Sequence, residues 1–238
     1  MSAWKRCGRS RASSTSAITK GSSADANRPR RTAGRGQGTQ AALLAERLGI
    51  PHISTGNLFR DNISQGTELG LAVKQILDEG GLVPDEVTIA MAADRLAQPD
   101  AGDGFLLDGF PRNIAQAQAL DELLGKDGHK LTAVLDLEVP EDEVVKRIAG
   151  RRMCRKNSQH VFHVEYAPPA VPGVCDECGG ELYQRSDDQE DTVRHRLELY
   201  HQETEPIIGY YREQGLVVTI QALGPVPEIT QRALSALP

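Results

Sequence analysis

Short apolar segments alternate with longer helical segments from residue 39 onward, and this alternation constrains the fold more than any other feature. The segments IPHIS, GFLLDGFP, LTAVLDLEV and LVVTI have the length and apolar content of buried strands. Helical segments such as TQAALLAERLG and NIAQAQALDELLG lie between them. Strands and helices that alternate in this way predict an α/β fold, in which helices flank a parallel sheet.

Residues 153–184 interrupt this alternation. They contain three of the four cysteines, several aromatic residues and the stretch APPAVPG, with little helical pattern. This composition predicts a small β-rich insertion. Four cysteines are too few for a disulfide scaffold of this length, so they indicate a reducing compartment, the cytoplasm, and leave a local metal site open.

The first 38 residues differ in composition from the rest of the chain. They hold nine Lys and Arg and one acidic residue, whereas the whole chain has 27 Lys and Arg against 33 Asp and Glu. Their Ser, Arg, Ala and Gly show no apolar periodicity, which predicts disorder over residues 1–38. Such a change in charge indicates a tail, a targeting segment or a foreign piece. The chain has no apolar run of membrane-spanning length, which predicts a soluble protein.

Two motifs carry chemistry. The stretch GQGTQ opens a helix, where backbone N–H groups and the positive end of the helix dipole suit a phosphate group. Asp108 ends a buried strand, at the edge where open α/β sheets bind ligands, and Arg112 follows the rigid turn Gly-Phe-Pro. The plainer alternatives are a helix cap for Asp108 and a surface charge for Arg112.

Arginines recur through the acidic part of the chain. Guanidinium groups that converge in space are suited to binding polyphosphate. Each arginine alone is typical of a solvated helix face, whereas the whole set favours a phosphate clamp. The set is Arg60, Arg112, Arg147, Arg151, Arg185 and Arg196.

Five ordered motifs resemble one known family. The stretches STGNLFR, LLDGFPRNIAQA, GRR, CDECGGELYQRSDD and DTVRHRLELYHQETEPIIGYY are similar to those of bacterial adenylate kinases with a long lid, from about Gly34 to the C-terminus. The resemblance implies the P-loop nucleoside monophosphate kinase fold. It divides the chain into a core kinase domain (39–152 and 185–238), a monophosphate-binding region within it (about 54–83) and a lid (153–184).

The resemblance also implies an activity and a set of site residues. The activity is reversible phosphoryl transfer from MgATP to AMP, which gives two ADP and serves adenine nucleotide homeostasis. The implied AMP-binding residues are Thr55, Arg60, Gly81, Leu82, Val83, Gly109, Arg112, Gln116, Arg185 and Arg196, of which Thr55 and Gln116 favour adenine. The implied ATP-binding residues are Gly34, Gly36, Gln37, Gly38, Thr39, Arg147, Arg151, Val161, Phe162 and Gly224, with Phe162 against the base. The implied catalytic set is Asp108, which holds Mg²⁺ through water, with Arg112, Arg151, Arg185 and Arg196.

The chain departs from the family at two places after the phosphate loop. Asn57 stands where the family usually has Asp, and we expect a modest effect. The lid pattern supplies Cys154, Cys175 and Cys178, but Asn157 or Ser158 occupies the place of another ligand. We favour a lid without metal. The alternative is a Zn²⁺ site in which His160 completes a Cys₃His set.

The largest departure lies in the phosphate loop. The family loop reads Gly-x-Pro-Gly-Ala-Gly-Lys-Gly-Thr, whereas residues 31–39 read RTAGRGQGT, with Gln37 in place of the lysine. Codons for residues 31–38, read from the second base, allow Gly-Pro-Pro-Gly-Ala-Gly-Lys-Gly. The same shift over residues 25–30 allows Met-Arg-Ile-Val-Leu-Val, a buried first strand with a start codon. Our hypothesis is that residues 1–38 are translated out of frame and that the native first strand is missing.

Four alternatives remain. Taken literally, the chain is a poor enzyme or an inactive nucleotide-binding relic. The basic, acid-poor start is also typical of an organelle transit peptide, although this does not explain Gln37. The acceptor can be UMP, CMP or GMP, against which Thr55 and Gln116 argue. A nucleic-acid-binding tail lacks interleaved aromatic residues. We therefore expect ATP, AMP and ADP as partners, with no nucleic acid and no membrane, and a monomer, as is usual in the family.

Overall fold

The computed structural model describes residues 11–20, 37–126, 128–158 and 160–238. The strands are β1 (Arg11–Lys20), β2 (His52–Ser54), β3 (Gly104–Asp108), β4 (Ala133–Pro140), β5 (Arg151–Cys154), β6 (Val161–His163), β7 (Leu182–Tyr183) and β8 (Val217–Gln221). Five of them form the central sheet, in the order β2-β3-β1-β4-β8.

The direction of β1 differs from that of its neighbours. β2 pairs in parallel with β3, and β4 pairs in parallel with β8, as the sequence predicts. β1 lies between β3 and β4 and is antiparallel to both. Ser16 pairs with Asp108 and Lys20 pairs with Gly104, so β1 ends where β3 begins. The sheet is therefore mostly parallel rather than parallel throughout.

The strand β1 also corrects the expectation of disorder for residues 11–20. Ala17 and Ile18 in β1 are each 1% exposed. The physical reason is the position between β3 and β4, where the facing backbone groups of both strands need hydrogen-bond partners. A segment of Ser, Thr, Ala and Ile can supply these bonds without an apolar periodicity. The strand expected at residues 25–30 and the loop residues 31–36 lie outside the described residues.

Helices cover both faces of the central sheet. They are α1 (Gln37–Leu48), α2 (Thr55–Gln65), α3 (Glu68–Asp78), α4 (Asp85–Leu96), α5 (Ile114–Lys126), α6 (Glu141–Ala149), α7 (Glu190–Leu199), α8 (Pro206–Glu213) and α9 (Val226–Ala236). Successive strand residues point to opposite faces. Leu106 packs with residues of α1, α6 and α9, whereas Leu107 packs with residues of α4, α5 and α8. The sheet thus has a buried core on each side.

The second sheet has three strands, in the order β6-β5-β7, and all pairs are antiparallel. It lies within residues 151–183, where the sequence predicts a small β-rich insertion. Among the helices of the described part, none is long and apolar enough to cross a membrane.

Candidate functional site

The site begins at the carboxyl edge of the parallel strands. Asp108 is the last residue of β3, and its Oδ2 lies 3.3 Å from Nε2 of His52, the first residue of β2. Its side chain is 22% exposed. A partly exposed carboxylate at this edge is accessible to a ligand, as the position of Asp108 in the sequence predicts.

The turn after β3 brings two predicted AMP-binding residues together. The carbonyl oxygen of Gly109 accepts hydrogen bonds from Thr55 Oγ1 at 2.9 Å and from Arg112 Nε at 2.8 Å. Gly109 has a φ of 78°, and a Cβ there would lie 3.0 Å from Thr55 Oγ1. Glycine is required because the turn is left-handed and because two side chains approach its backbone closely. The Arg112 carbonyl in turn accepts a bond of 2.7 Å from Thr204.

Five of the six recurring arginines converge beside this turn. Burial, and then the charge of Arg196, lower the pKa of Arg112 to about 10. Burial, and then the charge of Arg185, lower the pKa of Arg60 to about 10. Burial, and then the charge of Arg151, lower the pKa of Arg185. Buried cations that repel one another are stabilised by an anion of high charge, so the cluster is suited to polyphosphate.

Arg151 differs from the other members of this cluster. Burial lowers its pKa, but the hydrogen bonds and charge of Asp188, together with the charges of Asp187 and Tyr183, raise it overall. Arg151 Nε donates to Asp188 Oδ2 at 2.9 Å, and the Asp188 side chain is fully buried. This paired geometry fixes the direction of the Arg151 guanidinium.

Arg147 is separate from the arginine cluster. Its Nε donates to Glu143 at 2.7 Å, and its Nη1 donates to the carbonyl of Ala222 at 3.1 Å. It lines a cavity of about 600 Å³ together with Arg151, Arg196 and Gly224. A volume of this size accommodates a nucleotide base and sugar.

Two residues of the cavity wall escaped the sequence analysis. His163 and Tyr166 line the cavity, and their rings stack with centroids 4.4 Å apart. Phe162, predicted to contact the base, packs against the buried cluster of Cys154, Cys175 and Leu182. Successive residues of β6 point to opposite faces, which places Phe162 and His163 on different sides of the small sheet. Val161, also predicted to bind ATP, pairs with Met153 and does not line this cavity.

The first turn of α1 lies beside the same cavity. Gln40 is 6% exposed and donates from Nε2 to the carbonyl of Val226 at 3.0 Å. Its Oε1 accepts a bond of 2.8 Å from Thr230. These bonds connect α1 to the segment that follows Gly224. Of the predicted phosphate loop, Gln37, Gly38 and Thr39 have helical backbone in α1, whereas Gly34 and Gly36 lie outside the described residues.

The remaining AMP-binding predictions fall on the segment between α3 and α4 and on α5. Gly81 N donates to Ile76 at the end of α3, and Leu82 is half-buried. Val83 is buried in a cluster with Phe59 and Val73. Gln116 in α5 is 2% exposed and is hydrogen-bonded to Asp85, the first residue of α4. Asn57 accepts a bond of 2.9 Å from Arg60, so it contacts the arginine cluster.

The small sheet gathers four ligand-type side chains. One sulfur or nitrogen atom from each of Cys154, His160, Cys175 and Cys178 lies within 4.8 Å of the others. His160 Nδ1 is 3.3 Å from Cys175 Sγ, and its Nε2 is 3.1 Å from Asn157 Nδ2. Asn157 therefore contacts the ring nitrogen of His160 that faces away from Cys175. The fourth ligand-type side chain beside the three cysteines is His160, and not Asn157 or Ser158. Burial raises the pKa of the Cys154 thiol, but backbone and thiol hydrogen bonds outweigh burial and lower it to about 7.

The fold and the site together define a phosphotransferase of the nucleotide kinase class. The defining features are an α/β sheet with helices on both faces, an acidic residue at its carboxyl edge, a cluster of arginines and a cavity of nucleotide size. A family model described as adenylate kinase matches residues 31–216. The chain belongs to the adenylate kinase family.

Curated relatives agree with this assignment. Over 204 residues, or 86% of this chain, it is 74% identical to the adenylate kinase of Streptomyces avermitilis and covers 93% of that protein. Over the same length it is 71% identical to the adenylate kinase of Streptomyces coelicolor, covering 94%. It is 56% identical to that of Acidothermus cellulolyticus, also covering 94%.

Proposed function

We propose that the site of this chain catalyses the reversible transfer of a phosphoryl group from MgATP to AMP, which gives two ADP. The observation that supports this most is the position of Arg196. It lines the large cavity, and its charge also acts on Arg112, which is bonded to Gly109 beside Thr55. One cationic cluster therefore reaches two ligand regions, as transfer between two nucleotides requires.

In the proposed ATP site, the cavity takes the base and sugar of ATP. Arg147, His163 and Tyr166 border them, and the backbone of Gly224 contacts the base. Arg151 and Arg196 face the phosphates. Val161 and Phe162 contribute as part of the lid, residues 153–184.

Magnesium accompanies ATP in the proposed reaction. Asp108 fits this ion, because its carboxylate is a hard oxygen ligand at the carboxyl edge and is 22% exposed. When bound, Mg²⁺ neutralises charge on the phosphates. His52, 3.3 Å from Asp108, holds the carboxylate in position.

In the proposed AMP site, Thr55 and Gln116 contact the base, and Gly81, Leu82, Val83 and Gly109 form the walls. Arg60, Arg112, Arg185 and Arg196 hold the phosphates of the two nucleotides in line. The reaction needs no strong base, because placement and charge cancellation supply most of the catalysis. Closure of residues 153–184 over ATP and of 54–83 over AMP excludes water and so prevents hydrolysis.

We further propose that the chain as written is a slow enzyme. Gln37 supplies no cation where the family has lysine. Among the described residues before α1, β1 is antiparallel to β3 and ends at the edge opposite Asp108. Sequencing the gene across the codons of residues 25–39 tests our hypothesis of a reading-frame shift upstream of α1, and an unbroken frame contradicts it.

The four side chains of the small sheet fit a structural Zn²⁺ site. Three thiolates and one imidazole are a common tetrahedral set for zinc. We therefore propose that Cys154, His160, Cys175 and Cys178 hold zinc in the lid, against our sequence-based preference for a lid without metal.

Two broader features are also proposals. We place the protein in the cytoplasm, which the free thiols of Cys154, Cys175 and Cys178 support. We expect a monomer, which size-exclusion chromatography with light scattering tests.

The proposed activity is tested by measuring ADP formation with MgATP and each of AMP, UMP, CMP and GMP. The assay uses the chain as written and a frame-restored chain that begins MRIVLVGPPGAGKG and continues at Thr39. We expect ADP from AMP with the frame-restored chain and little from the chain as written. A preference for another monophosphate contradicts the AMP assignment. No transfer to any acceptor contradicts the reaction.

A further inference from the structure

The side-chain amide of Gln116 is held at both ends by groups of opposite polarity. Its Oε1 accepts a hydrogen bond of 2.8 Å from the backbone N–H of Arg112. Its Nε2 donates one of 2.7 Å to Oδ1 of Asp85. The Gln116 side chain is buried, so water does not compete for these bonds.

The polarity of the two partners leaves one orientation for the amide. A carboxylate only accepts hydrogen bonds, and a backbone N–H only donates. Rotation of the amide by 180° would bring its oxygen against Asp85 and its NH₂ group against the N–H of Arg112. Both contacts would then lack a hydrogen bond in a buried site, which is costly.

Asn113 reinforces this orientation. Its Nδ2 lies 3.0 Å from both carboxylate oxygens of Asp85, and its Oδ1 accepts a bond of 2.9 Å from the backbone N–H of Gln116. Asp85 therefore receives donors only, from two side chains. Its position at the start of α4 also favours a negative charge.

The fixed amide has one N–H and one oxygen lone pair left for a ligand. Adenine offers the complement, since its N1 accepts and its 6-amino group donates. Hypoxanthine, the base of IMP, has the reverse pattern, because its O6 accepts and its N1–H donates. We propose that Asp85 is a positioning residue that sets the base specificity of the AMP site by fixing the orientation of Gln116. This rests on the proposed function, in which Gln116 contacts the base of AMP.

The substitution Asp85→Asn removes the constraint without a change of size. The new amide side chain would offer one oxygen to two donors, Asn113 Nδ2 and Gln116 Nε2. The native orientation of Gln116 would then have one mispaired contact, between the new NH₂ group and Asn113 Nδ2, and the rotated orientation would have this contact and a second at Arg112. The difference between the two orientations falls from two mispaired contacts to one, so the variant should discriminate less between the two base patterns.

The test measures Kd for AMP and for IMP by isothermal titration calorimetry, because binding at this site does not require the lysine absent at Gln37. The proteins are the full chain, Asp85→Asn and Asp85→Ser, whose hydroxyl both donates and accepts. Asp85→Glu retains a carboxylate. Glu86→Gln is the matched control, since it removes a charge from an exposed position in the same turn of α4. Circular dichroism verifies that each variant is folded.

We expect the preference for AMP over IMP to fall at least about tenfold in Asp85→Asn and Asp85→Ser, and to stay within about twofold of the unchanged chain in Glu86→Gln. Asp85→Glu should retain more of the preference than Asp85→Asn. If the unchanged chain prefers AMP and the folded Asn and Ser variants keep that preference, the inference is wrong while the proposed function stands. If the unchanged chain binds neither nucleotide, the proposed AMP site fails and this inference fails with it.

Discussion

Asp187 lies between two arginines from different helices, with Oδ2 3.8 Å from Nη1 of Arg60 and 3.6 Å from Nη1 of Arg196. Arg60 belongs to α2 and Arg196 to α7. The carboxylate therefore supplies negative charge within a cluster of cations that repel one another. A bound phosphate would supply the same charge.

Replacing Asp187 by asparagine tests this balance. We expect Asp187→Asn to lower the free energy of unfolding by about 1 kcal/mol, since the pairs are partly exposed. Saturating pyrophosphate should restore most of the loss, because the anion replaces the missing charge. Urea unfolding with and without pyrophosphate measures both effects, and Asp191→Asn on the exposed side of α7 is the control. An equal loss in both buffers would contradict the role of Asp187.

Arg112 should be sensitive to a change that keeps its charge. Its Nε is bonded to Gly109, so the planar fork is oriented by the turn after β3. We expect Arg112→Lys in the frame-restored chain to lower kcat about 10²-fold to 10³-fold, as loss of a preorganised charge stabiliser does. Arg194→Lys changes an exposed arginine of α7 and should leave kcat unchanged. A kcat for Arg112→Lys within about threefold of the parent would exclude this role.

His201 should make stability depend on pH. Its Nδ1 is 2.8 Å from Glu205 and its Nε2 is 3.0 Å from Glu141, at the start of α6. The bond to Glu205 raises the pKa of His201 more than burial lowers it, and Glu141 adds to the increase. A raised folded-state pKa contributes stability that is fully present below the unfolded pKa of about 6.5 and is lost as pH rises through the folded pKa.

The measurement is urea unfolding of the parent and of His201→Gln across this pH range. The difference in unfolding free energy should be largest below about pH 6.5 and should shrink as pH increases. Glu205→Gln removes the main cause of the raised pKa of His201. In that variant, His201 should therefore stabilise the fold over a narrower pH interval. If the difference in unfolding free energy between the parent and His201→Gln instead grew with pH, this role of His201 would be contradicted.

The lid cluster should contain one zinc ion for each chain. Mass spectrometry of the metal content should find zinc in the parent, less in Cys178→Ser and His160→Ala, and an unchanged amount in Ser158→Ala. Removal of the ion by a chelator should lower Tm by about 5 °C or more, since a metal that binds only the folded state stabilises it. A metal-free parent whose Tm does not respond to chelator or to added zinc would support the lid without metal.

The sequence predicts much of this structure, and its failures have physical causes. The alternation of strands and helices depends on local periodicity, so β2, β3, β4, β8 and the helices follow from it. The convergence of the arginines depends on topology, so their number in the acidic part of the chain favours a phosphate clamp but does not show which of them meet. By contrast, β1 has little apolar periodicity, and its position is set by the unpaired edges of β3 and β4, which are tertiary features.

Two features of the site also depend on tertiary structure and could not be predicted from local sequence patterns. The wall formed by His163 and Tyr166 depends on which face of β6 points to the cavity, and a three-residue strand gives little periodicity from which to decide. Asp85 is separated from Gln116 by 31 positions, and only the fold brings their side chains together. Unlike Gln116, Asp85 belongs to no motif that marks its role.

The most direct test compares ADP formation from AMP and MgATP by three proteins: the chain as written, its Gln37→Lys variant and the frame-restored chain. We expect robust ADP formation only by the frame-restored chain. The Gln37→Lys variant regains the positive charge of the phosphate loop, but its β1 strand remains antiparallel to β3 and β4. Similar activity in the chain as written would show that neither the lysine nor the native first strand is needed. If the frame-restored chain formed no ADP, the account of two nucleotides joined by one arginine cluster would be wrong.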